Sequence, residues 1–303
     1  MTDTGHPNGT TYTEVLAKIP SDQKARLMTR SNRAGLLHLL GHVTALALCS
    51  AAISGGVPGW PVFLVLQGIL LVFLFTLQHE CTHQTPFAAP WMNEFAGHAV
   101  GFLLLNPFLW FRYFHLAHHR HTNDPARDPE LLSGAKPGTR SAWLWHVSGL
   151  PYWFGMAQQV WSNATGQEIA EYAPPKSHMR LRREARVMLI GYVSVAASLF
   201  VSPLAFWLWI LPALLGQPVL RLYLLAEHGH CPHVANMLMN TRTVFTNRLV
   251  RFISWNMPYH IEHHSAPQVP FHQLPNLHRH MAAHLGVTSR GYRAFHREFL
   301  RNL

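Results

Sequence analysis

Four stretches of this chain are long and apolar enough to cross a lipid bilayer: Ala34–Ile53, Gly59–Gln78, Ala185–Leu204 and Ala205–Ala226. A membrane-spanning helix needs about 20 mostly apolar residues. Only 13% of the 303 residues are charged, whereas a soluble domain carries about 25%. Turn-like sequences at Ser54–Pro58 and at Ser202-Pro203 separate the members of each pair. The sequence therefore predicts an all-α integral membrane protein with four transmembrane helices in two hairpins.

The positions of the basic residues predict the orientation of these helices. Five Lys and Arg residues precede the first stretch, ten lie from Arg112 to Arg186 and nine from Arg221 to Arg301, which accounts for all 24. Neither predicted hairpin tip carries one. By the positive-inside rule, both termini and the central segment face the cytoplasm. The net charge of +10 suits a surface on anionic lipid headgroups, so we predict contact with the bilayer and no nucleic-acid partner.

The chain divides into a polar cytosolic segment, residues 1–33, and one membrane domain, residues 34–303. The segment shows no signal-peptide pattern. Cys49, Cys81 and Cys231 form no C-x-x-C motif, which disfavours disulfides and a cysteine zinc site. Cys81 is expected to pack rather than to bind a metal.

Two further apolar stretches are not predicted to cross the membrane. Phe95–Phe111 contains His98 and Asn106-Pro107; it could cross, lie in the interface, or dip in and return, and we favour the last, re-entrant path. Trp143–Trp161 is rich in aromatic residues and predicts an interfacial helix. The histidine motifs described next are predicted to lie on a cytosolic helical cap.

Eight histidines fall in three short motifs, which we call the histidine boxes: His79-Glu-Cys-Thr-His83, His115-Leu-Ala-His118-His119 and His260-Ile-Glu-His263-His264. Residues three or four apart share one face of a helix, and imidazole is the commonest metal ligand in proteins. His228 follows the last apolar stretch on the same predicted side of the membrane. Since catalytic zinc usually takes three protein ligands and structural zinc four, nine histidines suffice for two ions.

Carboxylates cluster at the same places and are expected to orient the imidazoles: Glu80, Asp124, Asp128, Glu130, Glu227 and Glu262. The remaining histidines are assigned other roles. His38, His42, His98 and His146 are expected to be structural, His121 to lie behind a ligand, and His230 and His233 not to be ligands. His272, His278, His280, His284 and His296 belong to a basic amphipathic tail that predicts a membrane-surface helix.

These motifs resemble those of the membrane fatty acid desaturase superfamily, which includes related hydroxylases and ketolases. The resemblance runs from about Leu77 to Leu277 and includes Asp128-Pro-Glu130, Asn240-Thr-Arg-Thr-Val and Asn256-Met-Pro-Tyr-His-Ile-Glu-His-His264. Glu227-His228-Gly229 is similar to the element that supplies a ninth ligand in the alkane hydroxylase branch.

The resemblance implies two iron ions held by His79, His83, His115, His118, His119, His228, His260, His263 and His264. It also implies an O₂-dependent attack on a C–H bond of a lipid or acyl substrate, in a bacterial inner membrane with the active site on the cytoplasmic side. The chain contains neither a His-Pro-Gly-Gly cytochrome motif nor a four-cysteine iron pattern, so a separate donor of the ferredoxin or cytochrome type is expected to supply electrons.

Four functions remain open on the residues alone: an acyl desaturase, a hydroxylase or ketolase of an alkane, carotenoid or sphingoid base, a membrane zinc hydrolase, and a non-catalytic metal-binding or transport protein. Nine candidate ligands disfavour the zinc hydrolase. A transport protein would be expected to carry charged residues midway through its spans. The predicted spans have none there, since Arg186 and Arg221 lie near the ends of theirs. The desaturase is favoured over the hydroxylase by resemblance only.

Overall fold

The computed structural model describes residue 6 and residues 8–134, 136–167 and 170–303. Residues 1–5 and 7 of the predicted cytosolic segment lie outside this range. The described chain is mostly helical. Its α-helices are α1 (Tyr12–Ala17), α2 (Ser21–Leu27), α3 (Asn32–Ser54), α4 (Trp60–Thr82), α5 (Pro90–Leu103), α6 (Phe108–His121), α7 (Pro129–Leu132), α8 (Arg140–Val147), α9 (Leu150–Thr165), α10 (His178–Ser198), α11 (Leu211–His228), α12 (Met237–Asn240), α13 (Arg248–Ile253), α14 (His260–Ser265), α15 (Leu274–Met281) and α16 (Tyr292–Arg301). A π-helical turn, Phe206–Ile210, leads into α11.

Within the described residues, three helical segments are long and apolar enough to cross a membrane. They lie in Ser21–Ser54, Trp60–Thr82 and Phe206–His228, and they correspond to the first, second and fourth predicted spans. The protein is therefore a helical membrane protein.

The third predicted span differs from the helix that forms. Helix α10 begins at His178, seven residues before the predicted start, and ends at Ser198. Its first turns carry several arginines, so only residues 187–198 are continuously uncharged. Twelve helical residues extend about 18 Å, which is shorter than the hydrocarbon core of about 30 Å. The apolar run in the sequence continues into the turn after Ser198, which explains why the two boundaries disagree.

Helices α4 and α11 pack closely at a pair of glycines. A Cβ on Gly68 would lie 2.1 Å from the Pro212 carbonyl oxygen, and one on Gly216 would lie 2.2 Å from the Gly68 carbonyl carbon. Small residues allow membrane helices to approach in this way. The contact is the main crossing of the membrane body, and both helices continue from it to histidines.

Helices α5 and α6 form the hairpin predicted to be re-entrant. Each has 14 residues, about 21 Å, which is too short to cross the membrane. Glycines permit the close contact, because a Cβ on Gly97 would lie 2.2 Å from the Phe108 ring. The chain thus reverses direction at Leu104–Pro107, as the predicted re-entrant path requires.

Side chains from four other elements satisfy the carbonyl groups of this turn. The donors and acceptors are Tyr192 Oη to Phe102 O at 2.8 Å, Trp209 Nε1 to Leu103 O at 2.8 Å, Tyr152 Oη to Leu104 O at 2.7 Å and Gln78 Nε2 to Asn106 O at 2.8 Å. Non-helical backbone at membrane depth is tolerated only where its polar groups are paired inside the protein. We call these four donors the carbonyl collar.

The predicted interfacial helix is present as two helices, α8 and α9, separated at Ser148-Gly149. Trp145, Phe154 and Trp161 expose 54%, 65% and 57% of their surface. Such exposure of large aromatic side chains is typical of a surface that lies among lipid headgroups.

The cap consists of α12 to α16, with α1 and α2 packed on it. Val15, Ile19 and Leu27 share a buried cluster with Leu277 and Met281 of α15. Strands β1 (Thr243–Val244) and β2 (Thr288–Ser289) pair in parallel. The apolar face of α16, Phe295 and Phe299, is buried against Leu225 and Ala226 of α11. The tail therefore differs from the predicted membrane-surface helix, because protein rather than lipid covers its apolar faces.

Candidate metal centre

Four helices bring the nine candidate histidines to one end of the membrane body. The first box lies at the end of α4, where His83 is the C-cap residue. The second box is on α6, and the third forms most of the short helix α14. His228 is the last residue of α11.

The glycine contact between α4 and α11 sets the depth of two of these histidines. His79 lies 11 residues beyond Gly68, and His228 lies 12 residues beyond Gly216. At 1.5 Å per residue, both helices extend roughly 17 Å from the contact. The two side chains consequently reach the same level.

Helix α6 is positioned by a carboxylate from α10. Both oxygens of the buried Glu184 accept from the backbone N–H of Leu109, at 3.2 and 3.0 Å. Leu109 is in the first turn of α6, whose N-cap residue, Pro107, makes no side-chain capping bond. A negative charge at this end of a helix also complements its dipole. Glu184 thus anchors the helix that carries the second box, and no sequence motif indicated this role.

The nine imidazoles form two adjacent groups. One nitrogen from each member lies within 4.8 Å of the others in a group of five, His79, His83, His115, His119 and His263, and in a group of three, His118, His228 and His264. His260 joins the second group, since its Nε2 lies 3.1 Å from His228 Nε2. The groups adjoin, because the rings of His119 and His264 stack with centroids 4.1 Å apart.

The donor set fits two metal ions. His83 Nε2 and His115 Nε2 are 2.9 Å apart, and His118 Nε2 and His228 Nε2 are 3.2 Å apart. Two imidazole nitrogens at right angles on one ion, each about 2.1 Å from it, would be about 3.0 Å apart. Both ring nitrogens of His119 and of His263 are buried without a hydrogen-bond partner, as is Nε2 of His264. Buried polar atoms are nearly always paired, so these nitrogens point to ligation.

The opposite ring nitrogens face oxygen atoms. His118 Nδ1 lies 2.9 Å from Asp128 Oδ1, His228 Nδ1 3.2 Å from the Asn240 carbonyl oxygen, and His264 Nδ1 3.2 Å from Thr122 Oγ1. Such partners fix the tautomer and direct Nε2 toward a metal.

Three further carboxylates lie near ring nitrogens at longer range. Glu80 Oε1 is 3.3 Å from His263 Nδ1, Glu227 Oε1 is 3.6 Å from His260 Nδ1, and Glu130 Oε2 is 3.6 Å from His118 Nδ1. Four of the six predicted carboxylates therefore surround the histidines.

The other two predicted carboxylates do not contact a box histidine. Asp124 pairs with Arg127 at 2.7 Å. Glu262 points away from the two groups, accepts from Thr243 Oγ1 at 2.6 Å and contacts His278. Sequence reasoning assigned no role at the site to Thr122 or Asn240. Thr122 follows His118 by about one helical turn, and Asn240 contacts His228 through its backbone carbonyl while its side chain donates to Thr122 O at 3.1 Å.

The histidines expected to have other roles lie outside both groups. His38 and His42 bond the carbonyl oxygens of Phe252 and Leu70, each at 2.8 Å. His98 pairs with Glu184. His230 stacks on Phe299, and His233 Nδ1 lies 2.8 Å from Asn123 O.

Burial favours the neutral form of most of the nine candidate histidines. Desolvation, reinforced by His263, lowers the pKa of His83 to about 3. Desolvation, reinforced by His118, lowers the pKa of His263 to about 3. For His118, burial opposes protonation, but the hydrogen bond to Asp128 and the charge of Glu130 outweigh it and raise its pKa. Neutral imidazole is the form that binds metals.

Aromatic side chains adjoin the first group of histidines. The Phe111 ring stacks on His115 with centroids 5.5 Å apart, and the Phe75 ring lies 6.4 Å from His79. Phe75 and Phe111 contact each other at 5.2 Å. An apolar chain that reached the histidines here would meet hydrocarbon rather than polar groups.

Sequence comparisons relate this arrangement to known proteins. A fatty acid conjugase of Calendula officinalis is 25% identical over 239 residues, which cover 70% of this chain and 64% of the relative. An sn-1 acyl-lipid omega-3 desaturase (ferredoxin) of Nostoc sp. is 25% identical over 170 residues, 53% of this chain and 47% of the relative. An sn-1 oleoyl-lipid 12-desaturase of Arthrospira platensis is 22% identical over 241 residues, 71% of this chain and 66% of the relative.

The chain spans less than two thirds of the length of the conjugase and of the Nostoc desaturase. The sequence profile described as "Fatty acid desaturase" matches residues 58–296, which is most of the chain and includes all nine histidines. The chain therefore belongs to the fatty acid desaturase family.

Proposed function

We propose that this protein is a membrane-bound di-iron oxidoreductase that introduces a double bond into a lipid-linked fatty acyl chain. The convergence of nine imidazoles, eight of them buried, in two adjacent groups is the observation that supports this function most directly. The reaction converts –CH₂–CH₂–, O₂, two electrons and two protons into –CH=CH– and two water molecules. Bound iron would supply the redox chemistry that an unactivated C–H bond requires.

The chain's own residues hold and enclose this site. His79, His83, His115, His119 and His263 would bind one ion, and His118, His228, His260 and His264 the other. Asp128, Thr122 and the Asn240 carbonyl orient the second set. Eight of the nine imidazoles are at least about nine-tenths buried, which excludes bulk water, while Phe75 and Phe111 offer an apolar contact for the substrate.

The same proposal includes four spans and a cytoplasmic site. Helix α10 would complete the second hairpin together with the apolar turn after Ser198, and its arginines would extend to the interface, as long basic side chains do. The placement of every Lys and Arg away from the hairpin tips supports an orientation with both termini in the cytoplasm. The membrane that we propose, the bacterial plasma membrane, follows from the family resemblance alone. Residues 34–303 form one domain in this view, and helices α1 and α2 pack on it.

The names of the relatives support the substrate class and the donor. Two of them act on acyl groups of lipids, and one is named for ferredoxin. A small acidic redox protein would be attracted by the net charge of +10 through long-range electrostatics. We propose such a separate donor of the ferredoxin or cytochrome type.

Lipid analysis of a host that expresses the chain with a competent donor tests the proposal. We expect acyl chains that have lost two hydrogens, together with about two iron ions per purified chain. The His228→Ala variant should make no such product, whereas His280→Ala, at an exposed position of α15, should retain it.

Two outcomes would contradict the desaturase assignment. Products with one added oxygen and no new double bond would indicate the hydroxylase or ketolase alternative on the same site. One zinc per chain, with no activity after iron reconstitution, would contradict the proposed di-iron centre itself. Iron reconstitution is needed because nitrogen sites bind zinc more tightly than iron(II).

A further inference from the structure

An arginine-rich groove lies on the exposed side of α10, and none of its lining residues belongs to the histidine groups. Its volume is about 550 Å³, and its lining includes Arg182, Arg183, Arg186, Val187 and Ile190. The three arginines occupy little more than one turn of the helix and are all exposed.

The same face of α10 changes from basic to aliphatic along its length. Val187, Ile190 and Val193 follow the arginines at helical spacing and expose 61%, 67% and 70% of their surface. Residues three or four apart share one side of a helix. The face therefore presents guanidinium groups at one end and a hydrocarbon surface of about two turns beyond them.

Contacts with α9 restrain two of the arginines. Arg186 Nε donates to the Ala164 carbonyl oxygen at 3.0 Å. This bond uses Nε, so both terminal nitrogens remain as donors. The Arg182 guanidinium packs over Gly166, where a Cβ would lie 2.3 Å from Nε. The groove is thus partly ordered before any ligand binds.

The acidic residue of α10 does not neutralise this charge. Glu184 is buried on the opposite side of the helix, where it accepts from Leu109 N and contacts His98. The positive charge of the groove therefore faces outward.

We propose that this groove binds one anionic glycerophospholipid. Its phosphate would lie among Arg182, Arg183 and Arg186, since guanidinium groups bind phosphate oxygens in pairs. One acyl chain would follow Val187, Ile190 and Val193. Basic pockets beside membrane helices recognise lipid headgroups in this way, and the aliphatic surface distinguishes a lipid from a soluble anion. The site is separate from the proposed catalytic centre.

Lipid binding to the purified, delipidated protein tests this site without reference to activity. The probes are dioleoyl-phosphatidylglycerol, dioleoyl-phosphatidylcholine and glycerol 3-phosphate, and the readouts are lipid retention in native mass spectrometry and the shift in melting temperature. We expect phosphatidylglycerol to bind at least about tenfold more tightly than phosphatidylcholine, and glycerol 3-phosphate to compete with neither.

Two triple variants distinguish the effect of the groove on lipid binding from the effect of the protein's net charge. The preference for phosphatidylglycerol should be abolished in the triple variant Arg182→Gln, Arg183→Gln, Arg186→Gln. The same charge is removed from exposed positions of the cap in the triple variant Arg248→Gln, Arg290→Gln, Arg293→Gln. This second variant should keep the preference for phosphatidylglycerol. If the first triple variant does not fold, the single changes Arg183→Glu and Arg248→Glu make the same comparison, with several-fold weaker binding expected only for Arg183→Glu.

The proposal would be overturned if the triple variant of the groove arginines kept the wild-type preference for phosphatidylglycerol. It would also be overturned if the triple variant of the cap arginines lost that preference to the same extent. Tight binding of glycerol 3-phosphate alone would show that the aliphatic surface takes no part. Binding of an acidic ferredoxin at these arginines, with no preference among lipids, would identify a protein-docking surface instead.

Discussion

At the scale of single residues, the orientation of each candidate ligand nitrogen depends on the group that the opposite nitrogen of the same ring contacts. Asp128 shows this most clearly, because one carboxylate serves three groups. It contacts His118 Nδ1 at 2.9 Å, accepts from Asn123 N at 2.7 Å and accepts from Glu130 N at 2.9 Å. The loop after α6 and the second box are therefore held by one side chain.

We expect Asp128→Asn to lower metal affinity by about 10- to 100-fold, the usual cost of losing such a partner. The amide has a single acceptor oxygen, so it can keep only one of the two backbone bonds, from Asn123 N or from Glu130 N. The charge that favours the required His118 tautomer is lost as well. Metal content after dialysis against a graded chelator measures the effect. Asp124→Asn, four residues earlier and paired with Arg127, is the control; equal metal retention in both variants would show that Asp128 does not support the site.

At the scale of elements, the contact of α4 with α11 sets the spacing between the first box and His228. The two backbones touch at Gly68 and Gly216, where no side chain separates them. A change at this contact therefore acts on the histidines about three turns away, through two stiff helices.

Gly216→Val should reduce both stability and metal binding. The new side chain would overlap Gly68, and overpacking of this kind typically costs about 1–3 kcal/mol. Separation of the helices would also move His228 relative to His79. Thermal melting in detergent and metal content report the two effects. Gly155→Val, where nothing lies within 4 Å of the added Cβ, should change neither, and a Gly216 variant that behaved like it would show that the close contact is dispensable.

The candidate ligands of the site could be predicted from sequence more fully than the residues that position them. Spacing of three or four residues marks one helix face, so the eight box histidines could be chosen before their positions were known. His228 was indicated instead by its place after the last apolar stretch and by the family resemblance. Whether they bind iron stays a prediction. Glu184 could not be identified, because a tertiary helix cap has no local pattern. The ends of α10 were misplaced because apolar sequence and helical structure stop at different residues. The tail was misjudged because amphipathic spacing does not reveal whether lipid or protein covers the apolar face.

At the scale of the whole molecule, charge distribution and helix length point to one orientation. The turn between α3 and α4 and the exposed tip at Phe200 and Val201 carry no basic residue. The arginines of the central segment and of the cap lie toward the histidine end. The molecule thus has an apolar end and a basic end, as expected for a protein that meets anionic lipid on one side only.

Cysteine labelling in intact cells tests this orientation. Val57→Cys, in the first hairpin tip, should react with a membrane-impermeant maleimide added outside. Ser133→Cys, in the exposed loop after α7, should react only after the membrane is opened. The native Cys49, Cys81 and Cys231 are buried, so the parent protein supplies the background. Labelling of both positions from the same side would disprove the two-hairpin arrangement.

The carbonyl collar has a consequence for the order in which the protein is assembled. The α5–α6 hairpin leaves the ribosome before three of its four donors, Tyr152, Tyr192 and Trp209, because translation proceeds from the N-terminus. Until Tyr152 and Trp209 arrive, the carbonyl groups of Leu103 and Leu104 lack their donors, and each unpaired group costs several kcal/mol in hydrocarbon. We therefore expect the hairpin to remain at the headgroup level, in contact with water, and to reach its final depth only after Trp209 has been synthesised. Chains halted before Trp209 should thus leave the hairpin open to protease from the cytoplasm, whereas completed chains should protect it.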